Sequence, residues 1–224
     1  MPNVTVRGMR WLAGALSLAL LPAGCASAQS SAGIPGATNT LTATQAGTVK
    51  LLPLKIARPN FTHPYSRVAD FGTWEDLQGC KNTRAIVLIR RSLAPVTYTR
   101  PSDCTVATGK WIDPWSGIVT TKASAFQIDH TVPLANAWYA GAWSWTKAQR
   151  LAYANDITDL DHLVPITAHE NDVKDANGPD KWKPPSKGAW CTYALVWDHI
   201  KAKWKLTATT TEWAAVVAMA KTCK

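Results

Sequence analysis

With 224 residues and 46% hydrophobic content, the chain is long enough for one domain with its own core plus a targeting segment, which excludes wholesale disorder. The only long apolar run, 11–21, is about half of a spanning helix and argues against an integral membrane architecture. A formal charge of +9, from 24 Lys+Arg against 15 Asp+Glu, suits polyanionic partners without identifying one.

The apolar run follows Arg7 and Arg10 and leads into Leu21-Pro22-Ala23-Gly24-Cys25-Ala26-Ser27-Ala28, so 1–28 reads as a secretory signal. Cleavage after Ala26-Ser27-Ala28 would release a secreted chain beginning at Gln29. Ala23-Gly24-Cys25 instead resembles a lipobox that would leave a lipoprotein anchored through Cys25, although Pro22 stands where Leu is usual. Either cut removes the two arginines and takes the charge from +9 to +7. Residues 29–60 form a linker and a basic N-terminal segment. Up to residue 47 this stretch is uncharged Ser, Thr, Ala and Gly, and Lys50, Lys55, Arg58 and Arg67 all precede the first acid, Asp70. The folded domain is expected over 61–224.

Apolar spacing predicts a helix over 82–91 capped by Asn82 or Thr83. Gly109, Asp113-Pro114 and Ser116-Gly117 predict turns around extended pieces at 104–107 and 118–121. A strand at 125–129 ends at His130, and Pro133 stops it before a helix at 134–139. Thr146 with Gln149 makes a capping box for a helix to about Ala154. A second strand at 163–166 runs into Thr167 and Glu170, another capping box, which opens a helix bearing Asn171 and Lys174. The tail is a helical hairpin: Trp190, Ala194, Trp197, Ile200 or Lys201, and Trp204 keep helical spacing, and Thr209 with Glu212 caps the second helix. The fold class is α+β.

Cys25 is unavailable for pairing after either cut, which leaves Cys80, Cys104, Cys191 and Cys223. No Cys-x-x-Cys or Cys-x-x-His spacing favours zinc, so an exported chain with four cysteines predicts two disulfides. Cys191 begins the first helix of the hairpin and Cys223 ends the second, so antiparallel packing pairs them. By elimination Cys80 pairs with Cys104.

Asp129-His130 ends a strand, and Asn171 lies 41 residues beyond His130 on the first turn of a helix that directly follows another strand. A hard divalent ion takes few oxygen ligands from protein and the rest from water and phosphate, so one carboxylate and one amide oxygen suffice. A neutral imidazole beside them can accept a proton from water.

The segments Ile128-Asp129-His130-Thr131-Val132-Pro133-Leu134, Ala154-Asn155-Asp156, Leu163-Val164-Pro165-Ile166-Thr167 leading to Asn171 and Lys174, and Gly178-Pro179-Asp180-Lys181-Trp182-Lys183-Pro184-Pro185 stand in one register. Gly79-Cys80-Lys81-Asn82-Thr83-Arg84 and the stretch from Cys104 to Trp111 precede them. Together, over roughly residues 65–223, they resemble the secreted HNH (ββα-metal) endonucleases related to the C-terminal domain of GmrSD-type restriction endonucleases. The resemblance implies a ββα-metal core with a helical insertion between its strands and a C-terminal helical hairpin. It also implies a divalent cofactor, Mg²⁺ with Mn²⁺ or Zn²⁺ as alternatives, and a monomer that cleaves nucleic acid, DNA ahead of RNA, with no membrane insertion.

Residue by residue, the resemblance makes Asp129 and Asn171 metal ligands and His130 the general base. His162 falls where the family usually has an Asn that orients the base. Because Asp161-His162-Leu163-Val164-Pro165 echoes Asp129-His130-Thr131-Val132-Pro133, His162 either supports catalysis, belongs to a second copy of the dyad, or is structural. Asp172 stands where Arg is common, which leaves Lys174 as the phosphate-binding cation. His169 is an extra ligand or an exposed residue, and His63 and His199 are structural or exposed. Trp182, between Lys181 and Lys183, is core or a base-stacking residue. Sequence specificity should be low, since no module for reading base edges is visible. The alternative is a non-catalytic exported protein that binds nucleic acid or an anionic polymer on the same fold. A Ser/His/Asp hydrolase is disfavoured, as no Gly-x-Ser-x-Gly elbow occurs.

Overall fold

The computed structural model describes residues 49–101 and 104–224; the signal, the cleavage alternatives at Cys25 and the uncharged linker lie outside the described residues. The architecture is mixed α+β, with small antiparallel sheets set among helices.

The front of the domain carries helix α1 (Arg67–Phe71), the short pair β1 (Asp76–Gln78) and β2 (Lys81–Asn82), and helix α2 (Thr83–Arg91). Asn82 caps α2 by accepting from the Ala85 N–H, and the helix buries Ala85, Ile86, Val87 and Leu88. Strands β3 (Thr97–Tyr98), β4 (Val106–Ile112) and β5 (Val119–Lys122) form an antiparallel sheet in that order. Gly109, expected to mark a turn, lies inside β4. A Cβ there would sit 2.6 Å from Ser92 Oγ and 2.7 Å from the Trp111 indole, so the glycine admits a close approach within a strand. Trp111 is buried and donates from Nε1 to the Leu88 carbonyl at 2.8 Å, which locks the sheet onto α2. The β4–β5 turn forms as expected. Asp113 Oδ1 accepts from the N–H groups of Trp115 and Ser116, and Gly117 adopts φ +80°.

Strand β6 (Phe126–His130) pairs antiparallel with β7 (Leu163–Thr167), His130 opposite Leu163 and Phe126 opposite Thr167. Between them lie α3 (Leu134–Tyr139) and α4 (Lys147–Ala154), and α5 (Ala168–Lys174) follows β7 at once. Pro165 is tolerated because this sheet has two strands and the proline lacks only an N–H. The Thr146–Gln149 capping box of α4 is complete. That of α5 is half formed: Thr167 accepts from the Glu170 N–H, but its own N–H donates to Asp113 Oδ2 at 3.0 Å, so the β4–β5 turn takes the place of the Glu170 side chain.

The tail is the expected hairpin, α6 (Trp190–Lys203) against α7 (Thr210–Ala220), with the Thr209–Glu212 capping box complete. Disulfides join Cys191 to Cys223 and Cys80 to Cys104, with Cα separations of 4.9 and 5.6 Å. One core lies between α2, β4 and β6 around Leu88, Trp111 and Phe126. A larger one packs Phe71, Trp138, Tyr153, Tyr193, Trp197 and Met219. Trp182 belongs to the second, edge-on to Tyr193, so of its two expected roles the fold assigns it to the core. Among the described residues no helix is long and apolar enough to cross a membrane.

Candidate functional site

A strand alternates its side chains with period two, while a helix brings residues three apart onto one face. Gln127 and Asp129 of β6 therefore meet Asn171 and Lys174 of α5 as two matched contacts. The Asn171 amide donates to Gln127 Oε1, which leaves its own oxygen as an acceptor, and Lys174 Nζ donates to Asp129 Oδ1 at 3.0 Å. The same ammonium donates to the His130 carbonyl at 2.9 Å, and it lies 2.8 Å from Asp129 Oδ2, which accepts no hydrogen bond. Burial pushes the Asp129 carboxyl up and the Lys174 ammonium down, and their mutual attraction opposes both shifts.

His130 points to the opposite face of the strand. Its ring lies near parallel to Trp74 at 5.4 Å and to Tyr153 at 6.3 Å, which fixes the imidazole plane. Nε2 is 2.9 Å from the Ala154 carbonyl, an acceptor only, so the proton sits on Nε2 and Nδ1 keeps its lone pair. Burial, followed by the neighbouring His162, drives the His130 pKa well below the ordinary imidazole value; the Ala154 bond opposes and Arg67 and Lys174 reinforce. The ring is neutral at physiological pH.

Asp129, His130 and Asn171 border one cavity of about 420 Å³, together with Tyr65 and Arg67 from the front of the domain. Burial raises the Tyr65 hydroxyl to about 12, so it faces the cavity as a neutral phenol. Arg67 is exposed, with its guanidinium 5.8 Å from the centre of the Trp74 ring that stacks on His130.

Lys174 does not line this cavity. At 0% exposure, with Nζ held by Asp129 and the His130 carbonyl, it is a buried counter-ion, and Arg67 is the cation at the cavity wall. His162 is sealed behind His130. Its Nε2 donates to the Tyr153 carbonyl at 2.8 Å, its Nδ1 is buried without a partner, and burial lowers its pKa to about 4. The ring meets His130 edge-on at 5.8 Å, a place for positioning and not for touching a ligand. The echo of the dyad is antiparallel: Thr131 N–H donates to the His162 carbonyl and Thr131 Oγ1 to the Asp161 carbonyl, while Asp161 pairs with Arg91. His169 is exposed and lies off the cavity, His63 stacks on Trp143, and His199 Nε2 lies 2.9 Å from Asp159 Oδ2. Asn155 uses its whole amide to tie α4 to the front segment, accepting from Glu75 N–H and Thr83 Oγ1 and donating to the carbonyls of Thr73 and Leu151.

Gln127, Tyr65, Arg67 and Trp74 are the site residues that sequence reasoning missed. Gln127 was within reach, two residues before Asp129 on the same strand face. The other three carry no local signal that points 55 or more residues ahead.

The donors suit a hard divalent ion in kind: Asp129 and Asn171 both border the cavity, one a carboxylate and the other an amide whose nitrogen is engaged by Gln127. Among the described residues no group of three or more His, Cys, Asp or Glu gathers into a cage, so water and phosphate would complete the shell. Lys174 already neutralises part of the carboxylate charge, so an ion here would be held weakly without the phosphate.

No protein-family model matches the chain, and no solved structure matches it. A protein of the fungus Arthroderma benhamiae, described as an "Uncharacterized secreted protein", is 40% identical over 159 residues, which cover 71% of this chain and 76% of the relative. At that identity and coverage, the chain belongs to the same family as this secreted fungal protein.

Proposed function

We propose that the protein is an exported, metal-assisted endonuclease that hydrolyses phosphodiester bonds, of DNA ahead of RNA. The observation that carries this reading is the neutral His130, its Nε2 tied to Ala154 and its Nδ1 lone pair free, on the same cavity as Asp129 and Asn171. His130 takes a proton from the attacking water at Nδ1, and the parallel Trp74 and Tyr153 rings hold the imidazole in that orientation. Gln127 fixes the Asn171 amide so that its oxygen is the available atom. A divalent ion on Asp129 and Asn171 would polarise the phosphate and stabilise the departing oxygen. Arg67 takes the phosphate contact first expected of Lys174.

Three further facts support the reading. The succession β6, helical insertion, β7, α5 agrees with the ββα-metal order that the family resemblance implies. The charge left after the signal is removed, +7, favours a polyanion. The secreted relative supports export. The buried Lys174–Asp129 pair favours a second reading, a non-catalytic binder of nucleic acid or anionic polymer in which the lysine replaces the metal.

Incubation of the mature protein with supercoiled plasmid, in EDTA and with added Mg²⁺, Mn²⁺ or Zn²⁺, separates the two. The nuclease nicks only with metal, and His130→Ala loses about 10²–10⁴-fold in rate while still folding and binding DNA. Binding without nicking in every metal establishes the binder. Cleavage by His130→Ala within about tenfold of wild type removes His130 from the chemistry.

A further inference from the structure

A second cavity, of about 240 Å³, adjoins the first: Ala135 and Ala176 line both. Its size suits one ring system and not a whole nucleotide. Its walls bring together three features that recognise a planar heterocycle. Phe61, 69% exposed, lies 4.7 Å from Tyr139 at an interplanar angle of 57° and presents an uncovered ring face. Asn136 of α3 makes no side-chain hydrogen bond among the described residues, and its Oδ1 is buried without a partner. Gly178 stands opposite, where a Cβ would come within 3.5 Å of Asn136 Nδ2 and 3.0 Å of Asp180 Oδ1, so the missing side chain keeps the space open beside the amide.

The charge around this cavity argues against a phosphate. Lys181 is offset by Asp180, and Glu212 is already committed to Lys201 and Trp197. An uncharged, flat ligand with a donor and an acceptor side by side is the complement of a primary amide next to an aromatic face. Adenine fits this best, because an Asn amide bonds its N6 and N7 together.

We infer that this cavity is a nucleobase subsite, seating the base that neighbours the scissile phosphate, adenine in preference to other bases. The inference rests on the phosphodiesterase reading for its role and gives the enzyme a preference at one base where sequence alone suggested none.

Binding is measurable in EDTA, apart from any cleavage, by titrating adenosine 5′-monophosphate, inosine 5′-monophosphate and ribose 5-phosphate into the mature protein by calorimetry. The adenosine compound should bind most tightly. Inosine monophosphate, which lacks the 6-amino group, should bind roughly tenfold more weakly, and ribose 5-phosphate more weakly still. Asn136→Leu should remove the discrimination between the two nucleotides. Phe61→Ala, at an exposed position where folding is not at stake, should weaken both nucleotides and leave ribose 5-phosphate unchanged. Equal affinity for all three compounds, no binding of any, or discrimination that survives Asn136→Leu overturns the subsite. A protein that fails to nick plasmid yet discriminates these nucleotides contradicts the nuclease reading and keeps the subsite. One that nicks plasmid without discriminating them does the reverse.

Discussion

Among the described residues two lysines are fully buried, each against a carboxylate and a backbone carbonyl: Lys201 on Glu212 and the Thr207 carbonyl, Lys174 on Asp129 and the His130 carbonyl. Their carboxylates differ. Glu212 also accepts from the Trp197 indole at 2.7 Å and from the Thr209 N–H, so both of its oxygens are occupied and the pair acts as a bolt between α6 and α7. Among the described residues Asp129 has Lys174 alone as side-chain partner, the ammonium donating to Oδ1 and lying 2.8 Å from Oδ2, and the residue borders the larger cavity. A buried pair tied to further donors specifies packing, whereas a carboxylate with a single cationic partner at a cavity is one where, on the proposed reading, a second cation would act.

The two pairs should therefore respond differently to the same change. Lys201→Met leaves Glu212 charged and enclosed, and should cost about 3–5 kcal/mol in urea unfolding. Lys174→Met should cost measurably less when divalent ions are present, because an ion in the cavity that Asp129 borders would stand in for the ammonium, and it should raise the affinity for such ions by removing their competitor. Equal losses with unchanged metal affinity would erase the distinction. The Cys191–Cys223 bridge closes the hairpin that Lys201 and Glu212 bolt, and the Cys80–Cys104 bridge ties the front of the domain. In the chain-entropy model each is worth about 3–4 kcal/mol. Reduction should lower the melting temperature markedly without altering which metal supports cleavage, and a changed metal preference would tie a disulfide to the site.

The acid response involves the histidine packed behind His130. His162 has a folded pKa of about 4 against 6.5 for an ordinary imidazole, so on acidification the unfolded chain takes up this proton first. The contribution is fully present above pH 6.5 and is lost as pH falls toward 4, about 3 kcal/mol in all. His162→Gln should flatten the slope of unfolding free energy against pH in that window. An unchanged slope would show that His162 is not the group responsible.

Which parts of this were legible follows the range of the signals. The helices at 134–139 and 83–91 and the capped starts at Thr146, Thr167 and Thr209 rest on local chemistry, and they form where the sequence places them. The Cys191–Cys223 pairing followed from helix polarity, another short-range inference, and Cys80–Cys104 from elimination. Gly109 misled because its reason is tertiary, the approach of Ser92 and Trp111. Lys174 reads as a phosphate-binding cation until β6 is laid against α5, when the strand spacing from Gln127 to Asp129 matches the helix spacing from Asn171 to Lys174 and buries the ammonium on Asp129. The repeated Asp-His-x-Val-Pro pattern looked like two candidate dyads. The antiparallel pairing that joins the segments turns one histidine to the cavity and the other into the core.

On the proposed reading, Asp129 and Asn171 hold one divalent ion in spite of Lys174. Titrating Mn²⁺ into wild type, Asp129→Asn and Asn171→Ala, each bound to a non-cleavable oligonucleotide, and following free Mn²⁺ by electron paramagnetic resonance, tests it most directly. One ion should bind to wild type, weakly without the oligonucleotide and more tightly with it, since phosphate completes the shell. Both variants should lose that ion. Equal Mn²⁺ affinity in all three proteins would contradict the assignment.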